Sequence, residues 1–151
     1  MSGLEDLYRE VILDHARSPK GFGLRDDASA ASHQVNPTCG DEVTVQLHRR
    51  SSDGAIDEIR WEGHGCAISQ SSASILAGLV HGDEPEELQN RVDAFRELMR
   101  SKGELEGDEE LLGDAIVFQG ASRYVARIKC AMLAWVAAED ALASLESSTQ
   151  G

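Results

Sequence analysis

Glu42 to Cys66 reads EVTVQLHRRSSDGAIDEIRWEGHGC, and the changes of pattern inside it set the architecture. Val43, Val45 and Leu47 alternate with Thr44, Gln46 and His48, the period of two that a strand buried on one face requires. Arg49 to Gly54 is polar and closes on Asp53-Gly54, a dipeptide suited to the positive φ angles of a tight turn. Ile59 and Trp61 resume the alternation as far as Gly63, which predicts an antiparallel hairpin. Gly63-His64-Gly65 breaks the strand. Cys66 then opens a run of small and apolar residues, Ala67 to Val80, that predicts a helix closing at Gly82. Four serines in that run, Ser69, Ser71, Ser72 and Ser74, point to tight packing or polar contact.

Towards the N-terminus, Leu4, Leu7, Tyr8, Val11, Ile12 and His15 fall on one helix face, Ser2 and Glu5 fit a capping box, and Ser18-Pro19 stops the helix. Residues 20 to 35 read as a loop that becomes extended near its end. Towards the C-terminus, Asp83 is placed to cap a helix with Pro85 in its first turn and Leu88, Val92, Phe95 and Met99 as its apolar stripe, the intervening charges facing water. Residues 101 to 114 are acidic and punctuated by glycine, a surface excursion. A last helix is expected from about Ser122 to Leu145, with Val125, Ile128, Met132, Trp135, Val136 and Leu142 buried, and 146 to 151 as a polar tail. One helix, a small sheet and then helices make an α+β domain, single over 1–151.

Composition narrows the function. The 151 residues hold 14 Lys plus Arg against 27 Asp plus Glu, a net charge of −13, which opposes binding to nucleic acid phosphates. The N-terminus lacks a basic flank and an apolar core, and the longest apolar stretch, Ala131 to Ala138, is too short to span a bilayer. A soluble protein of the cytoplasm, with no membrane partner, is expected. Three widely separated cysteines make a disulfide framework a poor account, leaving free thiols or metal ligands.

Cys39 lies in Asn36-Pro37-Thr38-Cys39-Gly40-Asp41, where proline and glycine bracket the thiol on a turn. If Gly40 lets the backbone fold back, Asp41 reaches the same point and the two side chains can share a cation. Cys66 stands at a strand-to-helix junction, where the helix dipole and orphan amide donors favour a thiolate. Cys130 is turned roughly 200° from Ile128 about the helix axis, off the main apolar stripe. Arg127, three residues earlier, shares its face and could lower a thiol pKa or hold a persulfide; Lys129 is turned aside. Singly, Cys66 and Cys130 read as small buried hydrophobes before they read as ligands, and no Cys-x-x-Cys pair is present. His64 reads as a solvated loop histidine before it reads as a ligand or proton shuttle, and His15 as a partly buried residue at a helix end. His33, His48 and His81 have no evident pairing. The acidic stretch 104 to 110 could steer a basic partner, although a solvated surface accounts for it.

Four segments together carry a resemblance: Leu7-Tyr8-Arg9-Glu10-Val11-Ile12-Leu13-Asp14-His15, Asn36 to Asp41, Gly63-His64-Gly65-Cys66-Ala67-Ile68-Ser69 and Ala126-Arg127-Ile128-Lys129-Cys130-Ala131. In this order they resemble the SufU branch of the iron-sulfur assembly proteins related to IscU and to the NifU N-terminal domain. The IscU branch carries histidine where this chain has Lys129, and a Pro-Pro-Val-Lys motif that is absent here. SufU-like proteins also carry an insertion before the last helix, which 101 to 114 resembles.

The resemblance implies an α+β fold in which helices flank an antiparallel sheet of about three strands. It implies a tetrahedral zinc site of Cys39, Asp41, Cys66 and Cys130, a donor set that zinc accepts. It also implies a sulfurtransferase that takes persulfide sulfur from a SufS-type cysteine desulfurase, the partner holding the pyridoxal phosphate, and feeds downstream iron-sulfur assembly. Cys39 is then the acceptor, leaving the metal on docking, and Arg127 steadies the persulfide anion. The alternative is a scaffold for a nascent iron-sulfur cluster on the same ligands. A purely structural zinc domain fits less well, because structural sites favour Cys and His. The family commonly has proline where this chain has Val125.

Overall fold

The computed structural model describes residues 3–37 and 40–150, and of 3–7 and 146–150 the backbone alone. The expected cap Ser2 and the candidate ligand Cys39 lie outside the described residues.

Helix α1, Gly3–Arg17, ends where Ser18-Pro19 predicts, and the chain crosses to β1, Ala30–Asn36. Strands β2, Asp41–Arg49, and β3, Ile56–His64, form the predicted hairpin, with Gly54 at φ +78° in its turn. The sheet is antiparallel, in the order β1-β2-β3. Val45 sits opposite Ser32 on one side and Trp61 on the other, so a single face gathers Val43, Val45, Leu47, Ile59 and Trp61 into the core. Helix α2, Ala67–Leu79, and helix α5, Val125–Gln150, cover that face. Helix α3, Pro85–Arg100, packs on α5, bringing Phe95 into a stack with Trp135 at 4.2 Å between ring centroids.

The serines of α2 explain themselves through packing. Ser72 donates to the Ala131 carbonyl at 2.6 Å and accepts from Trp135 Nε1 at 2.9 Å, pinning α2 to α5 through groups that would otherwise be buried without partners. Ser74 Oγ lies 2.7 Å from Nδ1 of His15, which is buried, as a helix-end residue of α1 should be.

Several expectations change. Gln46 and His48, assigned to the polar face, are buried, because the chain around Arg25 folds over them and Gln46 exchanges two hydrogen bonds with the Arg25 backbone. Asp83 does not cap α3. Glu84 holds that place, its amide donating to Glu87 Oε1, while buried Asp83 pairs with Arg91 Nε at 2.6 Å. Not all α3 charges face water, since Arg91 also reaches the Leu111 carbonyl and Arg96 pairs with Glu139 of α5 at 2.6 Å.

The excursion at 101–114 is exposed at Leu105 but returns inward through the short helix α4, Glu109–Leu112, which buries Leu112. A 3₁₀ segment, Gly113–Arg123, precedes α5, so the last helix begins at Val125 and runs on into the expected tail. Val125 itself is 71% exposed, against expectation. Helix α5 is buried around most of its girth through Ala131, Ala134, Ala137, Ala138 and Ala141, because small side chains let the sheet, α2 and α3 approach from different sides. Among the described residues no helix is long and apolar enough to cross a membrane.

Candidate metal centre

The site forms where three elements meet at one end of the sheet's inner face. Asp41 is the first residue of β2, Cys66 caps α2 directly after β3, and Cys130 lies near the start of α5. Their ligand atoms all fall within 4.8 Å of one another, although 89 positions separate the first residue from the last. Gly40 precedes Asp41 at φ +73°, a left-handed conformation that favours glycine, and its amide closes a turn on the Asn36 carbonyl at 2.9 Å. A turn thus closes between Asn36 and Gly40 immediately before Asp41.

Asp41 is 1% exposed. Its Oδ1 accepts the Cys66 amide at 3.0 Å, and its Oδ2 lies 3.9 Å from Cys66 Sγ. Among the described residues no lysine, arginine or histidine forms an ion pair with this carboxylate. A buried carboxylate without a cationic partner is costly. Two thiols beside it make the position a sink for a cation rather than a structural ion pair. Around a tetrahedral zinc, donors at the usual bond lengths stand about 3.5–3.8 Å apart, so the separation of Asp41 and Cys66 needs little adjustment. The donors present fit zinc.

Cys130 is 5% exposed, in keeping with the reading of it as a small buried residue, although its face is turned from the Ile128 stripe. Cys66 is exposed, in keeping with its junction. Together with Gly65, Ile68, Ala126 and Arg127, the three ligand candidates line an open hollow of about 370 Å³. Arg127 is exposed on its rim, and Lys129 does not line it. His64 is not a member, being solvated, with its ring 3.3 Å from Glu42.

Two contributors escape the sequence reading. A Cβ on Gly65 would run into Asp41 Oδ1 and come within 2.6 Å of Ser69 Oγ, so only glycine admits the carboxylate there. Ser69 Oγ sits 4.0 Å from Cys66 Sγ and donates to the Cys66 carbonyl at 3.1 Å. The glycines bracketing His64 are the signal for the first; nothing in the pattern singles out Ser69 among its neighbouring serines.

Val125 is the first residue of α5, a position where proline is also at home, so the departure from the family pattern leaves the helix start in place. Comparison with known proteins places the chain among relatives of the same fold. The model of the NifU-like N terminal domain matches residues 7–131. The chain is 36% identical over 146 residues to the zinc-dependent sulfurtransferase SufU of Bacillus subtilis, covering 96% of this chain and 95% of that one. It is also 36% identical over 136 residues to the iron-sulfur cluster assembly scaffold protein IscU of Thermotoga maritima, covering 90% and 92%. A crystal structure of a putative iron-sulfur cluster assembly scaffold protein for the SUF system from Fervidobacterium islandicum superposes with a TM-score of 0.80 at 32% identity, over 93% of this chain and 99% of that one. The chain belongs to the NifU-like N-terminal domain family, alongside SufU and IscU.

Proposed function

We propose that this chain is a zinc-dependent sulfurtransferase of iron-sulfur cluster assembly, acting in the cytoplasm on a SufS-type cysteine desulfurase. The observation that carries the reading is the buried carboxylate of Asp41, without an ion-pair partner among the described residues, converging with Cys66 and Cys130. Asp41, Cys66 and Cys130, with Cys39, hold the metal. When bound, zinc keeps thiols deprotonated without taking electrons.

Asp41 positions Cys66 by receiving its amide, and Gly65 leaves the room that this requires. Cys39 lies in sequence between Asn36 and Gly40. As thiolate it attacks the outer sulfur of the desulfurase persulfide. The sulfur-sulfur bond of the donor breaks, the donor cysteine leaves as thiolate, and Cys39 ends as a persulfide, with no net change in electron count. Arg127, on the rim, steadies the persulfide anion once its proton is lost.

The test is metal content of aerobically purified protein together with desulfurase turnover, with and without chelation. One zinc per chain and a stimulation lost on chelation and in Cys39→Ser supports the reading; full stimulation by Cys39→Ser overturns it. The second reading, a scaffold that carries a nascent cluster, is favoured by the same thiol-rich donors and by the likeness to IscU. An oxygen-sensitive iron chromophore without stimulation would select it.

A further inference from the structure

Cys66 and Cys130 line one hollow but differ in access: Cys66 is exposed, whereas Cys130 is buried in the wall. Their Sγ atoms lie within 4.8 Å of each other, across 64 positions of sequence. The clasp between α2 and α5 brings them together. Ser72, in the second turn of α2, donates to the carbonyl of Ala131, the residue after Cys130, at 2.6 Å. The Cys66 backbone is fixed as well, its amide donating to Asp41 Oδ1 at 3.0 Å and its carbonyl accepting from the Ser69 hydroxyl and the Gln70 amide, both at 3.1 Å. What remains free is the Cys66 side chain. Rotation about its Cα–Cβ bond carries a cysteine sulfur through about 3 Å from one staggered position to the next. That swing is of the size needed to bring the sulfurs from their present separation to the roughly 2.05 Å of a disulfide, with the two helices still clasped.

The difference in access sets an order of events. A peroxide entering the open hollow meets Cys66 first. Cys66 Sγ attacks one peroxide oxygen, the oxygen–oxygen bond breaks, and the products are a sulfenic acid on Cys66 and, from hydrogen peroxide, one water. Cys130 Sγ then attacks the Cys66 sulfur. The sulfur–oxygen bond breaks, and the hydroxide that leaves takes up the Cys130 proton as a second water. Two thiols thereby give two electrons to one oxygen–oxygen bond. In a reducing compartment such a bridge is transient and is reopened by thiols, as a sensor requires and a structural framework does not. It also removes two of the three donors that converge with Asp41 in their midst, so the bridged chain cannot hold a metal there as the reduced chain would.

We propose that Cys66 and Cys130 of the metal-free chain close into a reversible disulfide that gates metal loading. The bridge rests on the proximity of the two sulfurs, and its regulatory meaning rests on the metal reading above. The test treats the reduced, chelator-stripped full chain with one equivalent of hydrogen peroxide, and reads the product by thiol counting and peptide mass mapping. Expected is a fall from three free thiols to one, with Cys66 linked to Cys130, and recovery of all three with dithiothreitol. Cys39→Ser should form the same link, and Cys39→Ser/Cys130→Ser should stop at a sulfenic acid on Cys66, trapped by dimedone. A link from Cys39 to either cysteine as the main wild-type product, or Cys66 and Cys130 left unlinked, overturns the proposal, and this mapping of the wild type decides it even if a variant does not fold. The linked chain should bind zinc at least about tenfold more weakly than the reduced chain. Equal zinc binding by both forms overturns the gate. Formation of the link in a chain whose reduced form binds no zinc overturns the zinc-centre reading and the gate with it, and leaves the disulfide standing.

Discussion

Asp41 and Glu42 are neighbours in sequence, yet the pleat sends one carboxylate to the packed face of the sheet and the other to solvent. Asp41 is 1% exposed and held by the Cys66 amide; the Glu42 side chain is 42% exposed and pairs with the exposed imidazoles of His33 and His64. The same chemical group is therefore part of the fold's polar accounting on one side and a solvated surface charge on the other. Packing and the Cys66 amide hold Asp41 in place, whereas Glu42 stands among exposed side chains that water screens.

The largest expected effect breaks that contrast directly. Asp41→Ala removes a candidate metal donor and the acceptor of the Cys66 amide together with a buried charge that is costly without a cation, so its effect should appear in the zinc-loaded protein, which should lose most of the stabilisation that zinc confers in urea unfolding. Zinc affinity should fall at least about a hundredfold, read by competition with a chromophoric chelator. Equal behaviour of Asp41→Ala and Glu42→Ala would erase the distinction between the faces. Next, Gly65→Ala keeps every donor but crowds the carboxylate, and should cost about 1–3 kcal/mol with a weaker metal site. Unchanged stability and metal affinity would mean that the close approach of Asp41 to the backbone is not needed.

A third test separates the two ends of the outer face. Burial beneath the Arg25 segment, with a further push from the Arg25 charge, holds His48 below its ordinary pKa of 6.5, against the opposing pull of Asp27 and Glu58. The unfolded chain therefore binds a proton first as pH drops. The contribution is intact above about pH 6.5, is lost on acidification below it, and levels off once the folded His48 titrates. The urea midpoint of His48→Gln should fall less steeply than wild type in that window, and parallel curves would show that the overlying loop leaves the ring hydrated. The smallest effect belongs to the open end, where His64→Ala should change the stability of the metal-free protein by no more than about 0.5 kcal/mol in the same urea assay.

Much of this was readable from local pattern. Alternation around Val43, Val45 and Leu47, the Asp53-Gly54 turn and the Pro85 helix start are decided within a few residues, and they appear where the pattern puts them. Asp41, Cys66 and Cys130 are grouped as one candidate ligand set only by the resemblance, since spacings of this length say nothing about proximity. Their convergence rests on the hairpin and on α2 and α5 meeting the same sheet end. Burial was the weaker part of the reading. Val125 was placed inside and lies outside, because the 3₁₀ segment occupies the turn that a longer α5 would have buried.

Composition, element order and the identity of the donors follow from the sequence, because period, turn chemistry and ligand type are properties of short stretches of chain. Tertiary structure alone decided which of the two neighbouring carboxylates is buried, that Gly65 must lack a side chain, and that His33 and His64 share Glu42. Each of these depends on atoms brought together across strands or from distant helices, and such distances are set by register and packing, which no local pattern encodes.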